Sequence, residues 1–225
     1  MDARLQRRVQ RYGWDLATEH YEALWQEQLA PAHAAVLDLA ALAPGEHVLD
    51  VACGSGQLTF EAARQVGATG AVTGVDLSGE MIARAQRFAP QRCPHPVQLQ
   101  RMDAEALAFA DASFDVVLCG LGLMYMPDPA LALREMRRVL KPGGRVVLAV
   151  WGERAQCGWA GVFPIVDAHV ASEVCPLFFG LGQDDALARL CEDSGFAHAG
   201  VLRIAARLRY ADAQQACLAA LVGGP

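Results

Sequence analysis

The chain has 225 residues and a formal net charge of −6 at pH 7, and 53% of its residues are hydrophobic. This length suits one domain with a large core, and the composition argues against a disordered chain. The negative charge disfavours a general binder of nucleic acid or of anionic membranes. No apolar run is long enough to span a membrane, and we recognise no secretory signal near the N-terminus.

The seven cysteines are an odd number, lie scattered along the chain and include no Cys-x-x-Cys pair. This distribution favours reduced, mostly buried thiols in a cytoplasmic protein. We therefore expect neither a disulfide framework nor a metal site.

Residues 1–44 are predicted to form an N-terminal helical cap. Several apolar residues lie near helical spacing, and Pro31 suits the first turn of a second helix. Pro44 and Gly45 then end the segment. The apolar residues are Leu16, Tyr21, Leu24, Trp25 and Leu29.

From residue 46 the pattern changes to short apolar runs that alternate with amphipathic stretches. This alternation predicts an α/β fold with a doubly wound, mainly parallel sheet and helices on both faces. The predicted strands are 48–51, 71–75, 97–102, 114–119 and 145–150, and the predicted helices are 58–66, 79–89 and 129–140, with a turn at 141–144.

Beyond residue 152 the periodic signal weakens. Residues 153–182 are rich in aromatic residues, cysteine and proline, and we predict that they form a substrate lid. A helix at 185–194, a sixth strand at 201–210 and a helix at 212–221 are predicted to follow. The chain 1–225 would then be one domain, with its core at 46–152 and its lid and C-terminal part at 153–225.

The stretch from Val48 to Thr59 predicts a strand, a glycine-bearing turn and a helix. An open α/β sheet binds nucleotide-like ligands beyond the carboxyl ends of such strands. Gly54 and Gly56 permit positive φ angles and a close approach of the ligand to the backbone.

Two acids follow the next two predicted strands. Asp76 comes at the end of the second strand, where a carboxylate can accept hydrogen bonds from both hydroxyls of a ribose. Asp103 and Ala104 follow the third strand and are placed to meet the edge of an adenine.

Two cofactors compete for this arrangement. A dinucleotide favours a third glycine where Thr59 stands, and its pyrophosphate is disfavoured by the nearby Asp50. S-adenosylmethionine has no phosphate and carries two positive groups, so an acid beside the loop is acceptable. The residues therefore favour S-adenosylmethionine over a nicotinamide dinucleotide.

Four segments, taken together and in order, resemble the class I S-adenosylmethionine-dependent methyltransferases, close to the ubiquinone/menaquinone C-methyltransferase-like group. They lie within residues 46–152, about half of the chain. The segments are VLDVACGSGQLT (48–59), GVDLSGEMI (74–82), RMDAEALAFADASFDVVLC (101–119) and REMRRVLKPGGRVVLAVWG (134–152).

The resemblance implies the Rossmann-like class I methyltransferase fold, with S-adenosylmethionine as cofactor and S-adenosylhomocysteine as product. It also assigns roles by position, and Ala52 stands where the family usually has a glycine. The methionine end of the cofactor would contact Asp50, Ala52, Gly54 and Gly56, and its ribose would contact Asp76. Its adenine would contact Leu77, Met81, Asp103 and Ala104, and Cys119 would line the floor of the cofactor site.

Other candidates have no motif behind them. Tyr21 and Trp25 could close over the cofactor, because aromatic faces stabilise a sulfonium cation, although such a pair also suits the core-facing side of a helix. Met124, Tyr125 and Trp151 are candidate substrate contacts, with core packing as the alternative for Trp151.

The candidate catalytic residues are His20, Tyr125 and His169, and the two histidines are the best placed to act as a general base. A lone histidine is also compatible with a structural or surface role. A base is needed only if the methyl acceptor must lose a proton, so the absence of an obvious base does not argue against activity.

The predicted function is transfer of a methyl group from S-adenosylmethionine to a carbon, oxygen or nitrogen nucleophile of a small molecule. The alternatives are an inactive cofactor-binding regulatory subunit, a nicotinamide-dependent oxidoreductase, and an arsenic methyltransferase. The last would use Cys157 and Cys175 with Cys53 or Cys119 as soft ligands.

The C-terminal part departs from the resembled fold, which normally ends with an antiparallel seventh strand beside strand five. Only 201–210 is available after the helix at 185–194. Either the sequence is truncated or this stretch has another role. An uncovered edge on strand five would favour a homodimer.

Overall fold

In the computed structural model, which describes residues 2–168 and 178–224, five strands form one parallel sheet in the order β3-β2-β1-β4-β5. This confirms the predicted α/β class. The strand order reverses between β1 and β4, which is where such sheets open a crevice for a ligand. The strands are β1 (His47–Val51), β2 (Ala71–Asp76), β3 (Gln98–Arg101), β4 (Phe114–Gly120) and β5 (Leu140–Ala149).

Helices cover both faces of this sheet. Those within the described residues are α1 (Ala3–Ala40), α2 (Gln57–Val66), α3 (Gly79–Arg92), α4 (Pro129–Val139), α5 (Val162–Asp167), α6 (Ala186–Asp193) and α7 (Ala213–Val222).

The central strands are buried on both faces because neighbouring residues point to opposite sides of the sheet. Leu49 packs in the core that includes Leu133 and Met136 of α4. Val48, next to it, packs in the second core, which includes Val36 of α1 together with apolar residues of α2. These two layers hold the carboxyl ends of the strands in place.

The prediction of two N-terminal helices is wrong, because α1 is one helix of 38 residues with Pro31 inside it. An internal proline costs about 3 kcal/mol. Packing on both sides of the proline offsets this cost: Leu29 lies in a cluster with α7, and Leu37 packs in the core over β1. Of the five apolar residues near helical spacing, Leu16 is 61% exposed, whereas the other four are buried or half-buried.

The predicted turn at 141–144 is instead a bulge within β5. Leu140 pairs with Phe114, and the next paired residue of β5 is Arg145, opposite Val116. Four residues of β5, 141–144, therefore lie opposite the single residue Asp115 of β4, and Gly143 takes φ +80° within the bulge. The other strands and helices agree with the prediction to within a few residues.

The predicted sixth strand at 201–210 is wrong, because this stretch is irregular and mostly exposed. Its carboxyl end is held by the side chain of Gln28, which donates to the Arg209 carbonyl and accepts from the Arg209 N–H. Among the described residues, β4 alone pairs with β5, so the other edge of β5 has no strand partner.

The predicted lid forms short 3₁₀ turns and α5 up to residue 168. Its aromatic residues Trp159, Phe163, Phe178 and Phe179 pack edge to face or tilted, with ring centroids 5.1–5.8 Å apart. Residues 169–177, which include His169 and Cys175, lie outside the described part of the chain. No helix among the described residues has the length and apolar character needed to cross a membrane.

Candidate cofactor site

An open cavity with an empty volume of about 790 Å³ lies at the carboxyl ends of β1, β2 and β4. A smaller cavity of about 300 Å³ adjoins it and shares Tyr21, Ala52, Gly54 and Gly120 with it. The residues that line the two cavities come from the loops after β1, β2, β3 and β4 and from α1, which lies over them. The predicted residues that line them are Tyr21, Asp50, Ala52, Gly54, Asp76, Leu77, Met81, Asp103, Ala104 and Tyr125.

The loop after β1 has an unusual backbone. Ala52, Gly54 and Gly56 all take positive φ angles, of 57°, 54° and 90°. A Cβ on Gly56 would lie 2.6 Å from the ring of Phe60, whereas one on Gly54 would meet no atom within 4 Å. Gly56 therefore shapes the loop without lining the cavity, and Gly54 keeps the space beside the backbone open.

Asp76 joins this loop to the end of β2. Its Oδ2 accepts a hydrogen bond from the Gly54 N–H at 2.9 Å, and its Oδ1 accepts one from the Ser78 N–H at 2.8 Å. Desolvation raises the pKa of the Asp76 carboxyl. The carboxylate thus lies on the cavity wall in a fixed orientation.

Asp50 lies at the deep end of the cavities and is 1% exposed. Its Oδ2 accepts a hydrogen bond from the Thr59 hydroxyl at 2.5 Å, while its Oδ1 is buried with no partner in the described structure. Burial raises the pKa of the Asp50 carboxyl to about 7. Ser55 Oγ and Gln57 Nε2, in the same wall, are also buried without partners.

The opposite end of the cavity combines apolar walls with an ion pair. Asp103 Oδ1 accepts from the Glu105 N–H at 2.9 Å, and Asp103 Oδ2 lies 3.2 Å from Arg7 Nε. Arg7 also donates to Glu105 Oε2 at 2.9 Å. Leu77 and Met81 supply apolar surface beside this group.

Helix α1 forms the roof of the cavity. Trp14 lies between Tyr21 and Tyr125 and packs edge to face on both. Its ring centroid is 5.7 Å from that of Tyr21 and 5.1 Å from that of Tyr125. Tyr125 also packs edge to face on Phe178 at 5.1 Å. The cavity is therefore closed on this side by an aromatic row that belongs to three separate parts of the chain.

Several predicted residues are not among those that line the cavities. Trp25 packs with Trp151 at 6.1 Å, and its Nε1 donates to the Ala219 carbonyl at 3.3 Å, so this tryptophan holds α7 against α1. Cys119 is fully buried in the core, and burial raises its thiol pKa to about 12. Met124 is also buried, at 4% exposure, and His20 is exposed on α1.

Four cavity residues of α1 were not predicted, and no motif in the sequence marks them: Arg7, Gln10, Trp14 and His33. The imidazole of His33 lies against Gly120, where an added Cβ would come within 3.2 Å of His33 Cδ2. Burial lowers the pKa of His33 to about 4, so its ring is neutral at neutral pH. The glycine at the end of β4 thus makes room for a histidine beside the deep end of the site.

Comparison with known proteins gives a consistent family. The family model described as "Methyltransferase domain" matches residues 49–148. The aklanonic acid methyltransferase DauC of Streptomyces sp. is 33% identical over 153 residues, which cover 68% of this chain and 67% of that protein. The demethylmenaquinone methyltransferase of Lactiplantibacillus plantarum is 45% identical over 107 residues, covering 47% of this chain and 45% of the relative.

Among solved structures, the [4+2]-cyclase SpnF is 28% identical, with a TM-score of 0.57 and coverage of 64% of this chain and 59% of that chain. The chain spans about half the length of several curated relatives that it matches. Family model, relatives and fold agree with the resemblance read from the four sequence segments. The chain belongs to the S-adenosylmethionine-dependent methyltransferases.

Proposed function

We propose that this chain binds S-adenosylmethionine in the cavity under α1 and transfers its methyl group to a carbon, oxygen or nitrogen nucleophile of a small molecule. The observation that carries the proposal is the position of Asp50 and Asp76. These two carboxylates lie at the walls of adjoining cavities, one at the deep end and one beside the apolar wall of Leu77 and Met81.

The deep end fits the amino-acid part of the cofactor. Buried polar groups without partners are costly, so three of them in one wall indicate a ligand that supplies the missing hydrogen bonds. Asp50 Oδ1 is an acceptor for an ammonium group, and Gln57 Nε2 and Ser55 Oγ can donate to a carboxylate. A bound ammonium would also hold Asp50 ionised against the effect of its burial.

The wider end fits the nucleoside. Asp76 can accept from ribose hydroxyls with the lone pairs that its backbone hydrogen bonds leave free. Leu77, Met81 and Ala104 provide apolar surface for an adenine ring, and Asp103 can accept from its amino group. All of these residues line the same cavity.

When bound, S-adenosylmethionine supplies a methyl group that its sulfonium already activates. The residues of this chain therefore need to orient the two reactants and exclude water, and orientation alone can contribute about 7–11 kcal/mol. The aromatic row of Trp14, Tyr21 and Tyr125 excludes water on the α1 side. Burial holds the pKa of Tyr125 well above its usual value, so its hydroxyl can donate a hydrogen bond to an acceptor but is a poor base.

The methyl acceptor in this proposal is a small molecule rather than a nucleic acid, because the net charge of −6 disfavours a polyanion. An inactive cofactor-binding subunit would have the same cavity, so only turnover separates the two functions. Family membership argues against the nicotinamide-dependent oxidoreductase. Within the described residues no cluster of three metal-ligating side chains is present, which gives no support to arsenic binding there.

The test is formation of S-adenosylhomocysteine by the purified chain, followed by mass spectrometry, with three acceptors: aklanonic acid, a demethylmenaquinone and a small amine. The first two are taken from the names of the relatives. We expect turnover with one acceptor, and loss of that turnover in Asp76→Ala. Tight binding of the cofactor without turnover of any acceptor would instead support the regulatory subunit.

A further inference from the structure

We propose that two copies of this chain associate through the outer face of the first half of α1, with the two helices antiparallel about a two-fold axis. Four large apolar side chains lie exposed on this face: Leu5, Val9, Tyr12 and Leu16 are 41%, 45%, 63% and 61% exposed. We call them the outer stripe.

The outer stripe is a continuous surface because its members are four, three and four residues apart, which places them on one side of a helix. The opposite side of the same helix already faces the protein, where Gln10 and Trp14 line the cavity. The outer stripe is therefore an apolar side of α1 that the described residues leave uncovered. A contiguous exposed apolar patch of this kind marks an interaction surface.

Charges along one flank of the stripe identify a second copy as the occupant. The helical positions of Arg4, Arg8, Arg11, Asp15 and Glu19 place them in that order along the same flank. Arg4, Arg8 and Glu19 are exposed, and Arg11 is half-exposed. Asp15 is also half-exposed and accepts from the Ser78 hydroxyl through Oδ1. The flank thus begins basic and continues acidic.

An antiparallel pair matches both the apolar and the charged residues. With Leu5 opposite Leu16 and Val9 opposite Tyr12, the basic half of each flank lies beside the acidic half of the other. Arg4 then faces Glu19 of the second copy, and Arg8 faces its Asp15. Each contact occurs twice, as two-fold symmetry requires.

A membrane surface is the competing occupant of an amphipathic helix with arginines. Anionic lipid attracts a flank of one sign, but Asp15 and Glu19 here would be repelled. The four partly exposed side chains of the stripe offer less apolar surface than the roughly 800 Å² that a stable interface takes from each partner. We therefore expect a dimer that dissociates in the micromolar range.

The first test is sedimentation equilibrium of the full chain from about 1 to 100 µM. We expect a concentration-dependent dimer that Tyr12→Glu and Leu16→Glu each convert to a monomer, with thermal stability unchanged. The matched control is Leu39→Glu, because Leu39 is 54% exposed on the same helix but lies outside the stripe. A wild-type monomer at the highest concentration, or a dimer that the stripe variants leave intact, would overturn the proposal.

Charge reversal tests the antiparallel register. Arg4→Glu and Glu19→Arg should each weaken the dimer about tenfold, since each replaces two attractive contacts with repulsive ones. The double variant should recover most of the affinity. A dimer affinity that stays low in the double variant would contradict the antiparallel register. Binding of a monomeric chain to phosphatidylglycerol vesicles would show that the stripe binds a membrane and not a second copy.

Discussion

The N–H of Gly54, in the loop after β1, donates a hydrogen bond to Asp76 Oδ2, at the end of β2, over 2.9 Å. These residues stand 22 positions apart and belong to two different sequence segments of the family pattern. The hydrogen bond fixes the glycine loop. In the proposed complex the same carboxylate would also accept from the ribose of the cofactor.

Substitution of Asp76 separates these two roles. Asp76→Asn keeps one acceptor oxygen and should weaken the binding of S-adenosylhomocysteine about tenfold. Asp76→Ala also removes the hydrogen bond to the loop and should weaken that binding at least about a hundredfold. Calorimetric titration measures both affinities, and Asp111→Ala, at an acid 78% exposed on the surface, serves as the control. Equal affinities in Asp76→Ala and the wild type would refute the ribose assignment.

The raised pKa of Asp50, about 7, predicts how binding depends on pH. The ammonium of the cofactor prefers the ionised carboxylate, so affinity should fall as the pH drops from 7 to 5, by up to tenfold per unit. The α-amino group of the ligand stays protonated over this range. Calorimetry at pH 5, 6 and 7 should show this slope in the wild type and a much smaller one in Asp50→Asn.

The raised pKa of Asp50 also makes folding stability depend on pH, and stability changes with pH in the opposite direction to cofactor affinity. Between the unfolded pKa near 4 and the folded pKa of about 7, the folded chain holds a proton that the unfolded chain has lost, so burial of Asp50 lowers stability as the pH rises. Asp50→Asn should therefore raise the melting temperature more at pH 8 than at pH 5. A gain that is larger at pH 5 would contradict the buried, unpaired carboxyl.

His33 should behave as a neutral imidazole. Its pKa of about 4 lies below the usual value of 6.5, so the folded state resists protonation and its stability should decline as the pH falls from 6.5 towards 4. Nuclear magnetic resonance of the imidazole Cε1–H should show no titration of His33 above pH 5. A midpoint near 6.5 for His33 would contradict its burial against Gly120.

Replacement of the two loop glycines by alanine should lower the free energy of unfolding by different amounts. Gly56→Ala brings a Cβ to 2.6 Å from the Phe60 ring at φ +90°, and we expect a loss of about 2–4 kcal/mol of folding free energy. Gly54→Ala meets nothing within 4 Å and should cost only about 1 kcal/mol, but it should weaken cofactor binding. Chemical denaturation and calorimetry together distinguish the two outcomes.

Much of the site follows from local sequence because parallel strands bring their carboxyl ends to one edge. Asp50, Asp76 and Asp103 each lie at or just after a different strand, so predicting the strands also predicts that these acids approach one another. The loop glycines fit the same pattern, since glycine takes positive φ angles at the turn from strand to helix with little strain.

The contribution of α1 could not be predicted in this way. Its period shows which residues share a face but not which face lies over the sheet, and that orientation depends on contacts distant in sequence. Arg7 reaches Glu105 across 98 positions, and Trp25 reaches Ala219 across 194. The helix also continues through Pro31, because tertiary packing outweighs the local cost of the proline.

The most direct test of cofactor binding in this cavity is thermal unfolding with S-adenosylmethionine, S-adenosylhomocysteine and NAD in parallel. A ligand at a hundred times its dissociation constant stabilises by about 2.7 kcal/mol. For a chain of this size that corresponds to a rise of about 5–10 °C. We predict such a rise with the first two ligands and none with NAD. A rise with NAD alone, or no rise with any of the three ligands, would contradict the account.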